Sequence, residues 1–150
     1  MSRSDRLHFP DKRPVHTYTH YLRSRYGETD KMGYVYYGRY LEYFEVARTE
    51  MIRSLGLPYS RMETDGIMLP VIEAAVEYRS PVHYDEEMGI RVSIFDVPQV
   101  RLVTWYEAMT ERDEEPHAWG RVTLAFSDME TRRPCRAPDD FLARLTGGDG

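Results

Sequence analysis

One amphipathic helix followed by little but strands governs what this chain can become. From about Gly38 to Leu55, the residues Tyr40, Phe44, Ala47, Met51 and Leu55 recur at steps of four, three, four and four, forming one apolar stripe. Glu42, Glu45, Thr49 and Arg53 fall elsewhere on the helix surface, Gly56 is placed as its C-terminal stop, and Pro58 prevents continuation. Upstream, Val15 to Tyr26 is rich in Thr and Tyr and suits a strand ending at Gly27. Downstream, Val71–Arg79, Met88–Val97, Arg101–Thr110 and His117–Ser127 read as strands, with Ile90, Val92 and Ile94 alternating against Arg91 and Ser93. Short breaks at Pro98-Gln99 and Glu111–Pro116 join the last three into an antiparallel meander. Pro138-Asp139-Asp140-Phe141 opens a short closing helix through Leu145. The order is α+β. A lipocalin or cystatin-like arrangement shares this coarse pattern. The long apolar stripe needs a concave sheet to bury it, and such a sheet leaves exposed edges, so a dimer is expected.

At 150 residues the chain reads as one domain, with a core large enough to fold unaided. The domain is expected over 15–145, with a flexible N-terminal arm over 1–14 and a flexible tail over 146–150. The arm contains Pro10 and Pro14 and carries four cations against two anions, a net +2 that leaves −7 for the rest. The overall charge of −5 argues mildly against nucleic acid as the main partner. All cations but Lys12 and Lys31 are Arg, whose forked donors suit a phosphate-bearing ligand. Cys135 is the only cysteine, which excludes an intramolecular disulfide and a cysteine metal cluster. His8, His16, His20, His83 and His117 lack metal-ligand spacing, and no Gly-rich phosphate loop is present, so neither metal nor bound cofactor is expected. The N-terminus lacks the apolar core of a signal peptide and no apolar run reaches membrane-spanning length, so the simplest expectation is a cytoplasmic protein with no membrane partner.

Chemistry concentrates between Tyr26 and Arg48. Glu28-Thr29-Asp30-Lys31-Met32-Gly33 sets a carboxylate in a glycine-bearing turn, and Tyr34-Val35-Tyr36-Tyr37-Gly38 leads directly into the helix. By local chemistry alone, Asp30 is a turn former or cap. A negative charge beside a helix N-terminus is nevertheless useful, because unpaired N–H groups there can hold a developing oxyanion while the carboxylate attacks or activates water.

The stretch resembles the signature of hotdog-fold acyl-CoA thioesterases of the 4-hydroxybenzoyl-CoA thioesterase type. Thr29-Asp30, Gly33, Val35-Tyr36, Tyr40, Phe44-Glu45 and Ala47-Arg48 match that pattern in order and spacing. The likeness continues through Tyr78-Arg79-Ser80-Pro81 with Asp85 and Met88, then Asp128-Met129-Glu130, Arg133-Pro134 and Arg136-Ala137-Pro138. It implies one long central helix wrapped by an antiparallel sheet of about five strands. It implies hydrolysis of an acyl-CoA thioester, with Asp30 as nucleophile or general base. The Tyr37 N–H, with Gly38 as second donor, is implied to hold the oxyanion. One departure is clear: the family pattern commonly has His where this chain has Tyr37, so an imidazole cannot assist from that position.

Arg79, Arg133 and Arg136 are the candidates for the phosphates of CoA, although each taken singly reads as a solvated charge. Tyr40 and its aromatic neighbours suit either a packed interface or an acyl pocket. Glu45 and Arg48, three apart on the helix, read as an intrahelical ion pair, with Glu45 as catalytic base the sharper alternative. The rival functions are a thioesterase acting on acyl carrier protein and a non-catalytic acyl-thioester-binding subunit. A homodimer or homotetramer is expected in each case.

Overall fold

In the computed structural model of the chain, residues 7–57 and 59–147 are described, and of Tyr59 only the backbone. Strand β1 (His16–Arg23) is followed by a 3-10 turn (Tyr26–Glu28) and helix α1 (Arg39–Ser54). Then come α2 (Tyr59–Thr64), β2 (Ile67–Met68), β3 (Val71–Tyr78), β4 (Glu87–Ile94), β5 (Arg101–Thr110), β6 (Asp113–Ala125), β7 (Ser127–Asp128) and α3 (Asp139–Leu145). Five strands form one antiparallel sheet in the order β1-β4-β5-β6-β3, and β2 pairs with β7 beside it. The expected meander is β4-β5-β6, flanked by β1 and β3.

α1 lies against one face of this sheet. Met88, Ile90, Val92 and Ile94 of β4 point to that face and are fully buried, as the period of two requires. Phe44 of α1 stacks on Tyr106 of β5, with ring centroids 4.5 Å apart and planes at 14°. Gly120, the β6 partner of Tyr106, permits this approach: a Cβ there would stand 2.3 Å from the Phe44 ring. Fully burying side chains such as Phe44, Met51 and Ile52 contributes roughly 1.5–3 kcal/mol each. α1 ends as its sequence predicts. Gly56 adopts φ +83° and donates to the Arg53 carbonyl, and Leu57 donates to that of Ile52. Pro58, read as the barrier to continuation, lies outside the described residues.

Three expectations are corrected. Arg48 does not pair with Glu45; it turns into the core, 5% exposed, and donates to the Tyr106 hydroxyl at 2.9 Å, while Glu45 stays on the exposed side of α1. The polar stretch Glu111–Pro116 is mostly strand. β6 begins at Asp113, opposite Thr110, because an exposed hairpin overhang pairs its backbone whatever its side chains. Val15–Tyr26 is strand only over His16–Arg23, the remainder turning through the 3-10 segment.

The sheet's other face carries a second apolar cluster of Leu7, Phe95, Trp105 and Trp119. Phe9 packs on Trp105 at 4.8 Å between centroids, so Leu7 and Phe9 of the expected arm lie on this face; residues 1–6 fall outside the described chain. No helix among the described residues is long and apolar enough to cross a membrane.

Candidate active site

Asp30 sits in a tight loop whose geometry follows from its own sequence. Its backbone N–H donates to the Tyr34 carbonyl at 2.8 Å, and Gly33, at φ +80°, closes the turn by donating to the Asp30 carbonyl. The carboxylate oxygen Oδ1 accepts from the Met32 and Tyr34 N–H groups at 2.8 and 3.1 Å. Asp30 is therefore the turn former that local chemistry favours. Oδ2 has no hydrogen-bond donor among the described residues and remains available. The loop is pinned to the chain before β4: Val35 donates to the Val82 carbonyl, Tyr84 donates to that of Gly33, and Tyr34 stacks on His83.

The loop delivers the chain to the N-terminus of α1. Gly38 is the N-cap residue and has no side chain to cap the first turn. Neither the Tyr37 nor the Gly38 N–H donates to an acceptor among the described residues. The Tyr37 carbonyl accepts from the Tyr78 hydroxyl at 2.9 Å, which ties this corner to the end of β3. A Cβ at position 38 would meet the exposed Tyr36 ring at 2.8 Å, so a side chain there would need that ring to move aside.

A cleft of about 270 Å³ opens at this corner, with Asp30, Tyr37, Tyr40, Tyr78, Arg79 and Ser80 among its walls. Tyr40 is buried against Tyr78, ring centroids 5.5 Å apart. Burial, reinforced by Tyr78 and Glu86, pushes its hydroxyl far above the usual phenol range, so it stays a neutral donor. Burial raises Tyr78 in the same direction.

Asp30, Tyr37, Tyr40 and Arg79 thus share one cleft, with Gly38 beside it in the chain. Arg79 is committed: its Nε donates to the Pro116 carbonyl and a terminal nitrogen to Asp113, both at 2.7 Å. Arg133 and Arg136 are exposed and belong to the other end of the sheet. The chain from Ala118, opposite Tyr78, to Ser127, which pairs with Pro134, advances nine residues, about 30 Å of extended strand. Within one chain the three arginines do not form a common site.

Two polar groups beside the cleft were not singled out from sequence as site residues. Ser80 Oγ lies 2.7 Å from His117 Nδ1, and His117 Nε2 lies 2.7 Å from Thr110 Oγ1. His117 is fully buried. Its pKa is pushed down first by burial and then by Arg112 and Arg79, against the opposite pull of Asp113 and Glu86. No short-range signal links residues 37 apart in sequence; only the pairing of β3 with β6 does so. Among the described residues no cluster of three or more His, Cys, Asp or Glu could hold a metal ion.

A five-stranded antiparallel sheet with α1 on one face, and an acidic turn feeding the N-terminus of that helix, defines a hotdog-fold α+β protein. Residues 24–145 match the model of the Thioesterase-like superfamily, and the chain belongs to that family. It is 40% identical over 85 residues to YneP of Bacillus subtilis strain 168, covering 57% of this chain but only 62% of YneP, less than two-thirds of its length. It is 26% identical over 123 residues to the acyl-CoA thioesterase YbgC of Haemophilus influenzae, covering 81% and 89% of the two chains. The solved structure of DHNA-CoA thioesterase from Staphylococcus aureus superposes with a TM-score of 0.74 at 34% identity, over 80% of each chain.

Proposed function

We propose that this protein is an acyl-CoA thioesterase, hydrolysing the thioester to a free acid and CoA. The observation that carries the reading is the meeting, in one largely aromatic cleft, of a carboxylate with an unoccupied oxygen and a helix N-terminus with unpaired backbone donors. The family and the relatives named as acyl-CoA thioesterases support the same reaction.

A thioester carbonyl is electrophilic enough for a carboxylate either to attack it or to direct water to it. Asp30 takes that role, with Oδ1 fixed by the turn and Oδ2 facing the reaction. The tetrahedral oxygen is held by the Tyr37 and Gly38 N–H groups, reinforced by the positive end of α1. Because these donors are backbone groups, the absence of His at position 37 does not remove them. The acyl group rests against Tyr37, Tyr40 and Tyr78. Arg79 is the arginine closest at hand for a CoA phosphate, while Arg133 and Arg136 would reach a cleft only from a second copy of the chain. A homodimer or homotetramer is consistent with the exposed Val71 and Ile72 on edge strand β3.

The test is free-thiol release from a panel of short, long, branched and aromatic acyl-CoAs, with Asp30→Asn alongside. The substitution is expected to lower kcat by at least about 100-fold. Near-normal turnover by this variant would remove Asp30 from the mechanism.

A further inference from the structure

We propose that Ser80 holds the water that attacks during thioester hydrolysis, and that His117 is the positioning residue that turns the serine for this task. The inference rests on the thioesterase reading and adds to it two residues outside the Asp30 turn and the helix N-terminus.

With Asp30 acting as general base, water attacks the thioester carbonyl directly. A carboxylate oxygen can accept only one of the water's two protons along the productive direction. The second proton needs another acceptor, so that the water's lone pair is left aimed at the carbonyl carbon. Asp30 Oδ1 is already occupied by the Met32 and Tyr34 N–H groups, so its own turn does not supply one. Ser80, on the wall of the same cleft, carries a hydroxyl oxygen.

That hydroxyl is held from two directions by one residue. The backbone N–H groups of Arg79 and Ser80 both donate to the His117 carbonyl, at 2.8 and 3.2 Å, which fixes the serine backbone. The His117 ring then meets the Ser80 hydroxyl at 2.7 Å through Nδ1 and the Thr110 hydroxyl at 2.7 Å through Nε2. A neutral imidazole has one N–H and one acceptor nitrogen, so it must treat the two hydroxyls oppositely. With Nε2–H donating to Thr110, Nδ1 accepts the serine proton and the Ser80 lone pairs are left facing the cleft. The water then donates one proton to Asp30 and the other to Ser80. Asp30 removes its proton as the oxygen bonds to the acyl carbon, and the carboxylic acid so formed returns that proton to the sulfur as the C–S bond breaks, releasing CoA thiol and the free acid. Ser80 and His117 exchange no proton with substrate. The imidazole's full burial, with both nitrogens bonded, makes its orientation a fixed feature of the fold.

The experiment is steady-state thiol release on the acyl-CoA that the unaltered protein turns over fastest, comparing Ser80→Ala, His117→Gln and the double variant, with Asp30→Asn in the same assay. Ser80→Ala is expected to lower kcat by about 10- to 100-fold with KM changed by less than about threefold, since a group that holds water does little for ground-state binding. His117→Gln is expected to lower kcat, and to cost nothing more once Ser80 is alanine, because it acts through that hydroxyl. Should His117→Gln fail to fold, Thr110→Val takes its place in the same cycle. A kcat for Ser80→Ala within about twofold of the parent, with Asp30→Asn inactive, overturns this inference and leaves the thioesterase reading standing. Additive losses in the double variant overturn the positioning role of His117. An active Asp30→Asn, or no turnover by the unaltered protein on any acyl-CoA, overturns both proposals.

Discussion

Asp30 and His117 illustrate how far a single side chain's role can be read locally. Asp30 does what its turn-forming chemistry predicts, and the two backbone hydrogen bonds that make it a turn residue occupy one carboxylate oxygen and leave the second without a donor among the described residues, on a residue that lines the cleft. Its candidacy was legible because the surrounding dozen positions carry a family pattern, and Tyr37 and Gly38 were legible for the same reason. Ser80 and His117 were not, since a hydrogen bond across paired strands leaves no periodicity in the chain. Arg133 and Arg136 near the proline-rich turn show what sequence leaves out: strand register places them about 30 Å along the sheet from Tyr78 of the same chain. Burial of His117 has a consequence for stability with a definite sign. Its folded-state pKa lies below the ordinary 6.5, so over that window the unfolded chain binds more protons. Stability is therefore lost as pH falls below about 6.5, and half-buried His16 acts in the same direction. Asp113 is held low by Arg79, Glu86 by Arg112, and Asp128 by the Thr131 and Glu130 N–H groups. Their stabilisation is present above their unfolded values near 4 and is lost as pH falls through the folded ones. Calorimetry should show Tm falling between pH 7 and 5 and again below about pH 4. His117→Gln should flatten the first fall; an unchanged slope there would mean that His117 protonates freely in the folded protein.

At the level of elements, α1 was the clearest feature of the sequence because its stripe runs unbroken for four turns and its stop signal is a glycine in the left-handed region. β4 was equally plain from alternation, and β5 followed from the break at Pro98-Gln99 before it. The pieces that escaped are those whose existence depends on partners: the two-residue strands β2 and β7, the short α2, and the polar opening of β6. None is long enough to show a period. The contact between α1 and the sheet also has a requirement that composition hides. Gly120 lies in the middle of a strand, where glycine is ordinarily unfavourable, and Phe44 fills the space its missing Cβ leaves. Gly120→Ala is expected to destabilise the fold by about 1–3 kcal/mol, the usual cost of overpacking a core. In combination with Phe44→Leu the two losses should be less than additive, measured by chemical denaturation. Full additivity would show that the ring and the glycine are not in contact.

For the whole molecule, the sheet separates two apolar environments. One face carries α1 and the core beneath the cleft; the other carries Leu7, Phe95, Trp105 and Trp119, with Phe9 laid across Trp105. The N-terminal segment thereby covers surface that the sheet would otherwise present to water. Phe9→Ala is expected to lower Tm by several degrees, corresponding to about 1–3 kcal/mol for a half-buried aromatic, while kcat on acyl-CoA stays unchanged. An unaltered Tm would mean that this contact adds nothing to the fold. The same separation decides what light can report about this protein. Its only two tryptophans, Trp105 and Trp119, both stand on the face away from α1, whereas the cleft is walled by tyrosines. Indole emission will follow the docking of the N-terminal segment and stay nearly blind to an occupied cleft, so a ligand titration must be followed through the phenols.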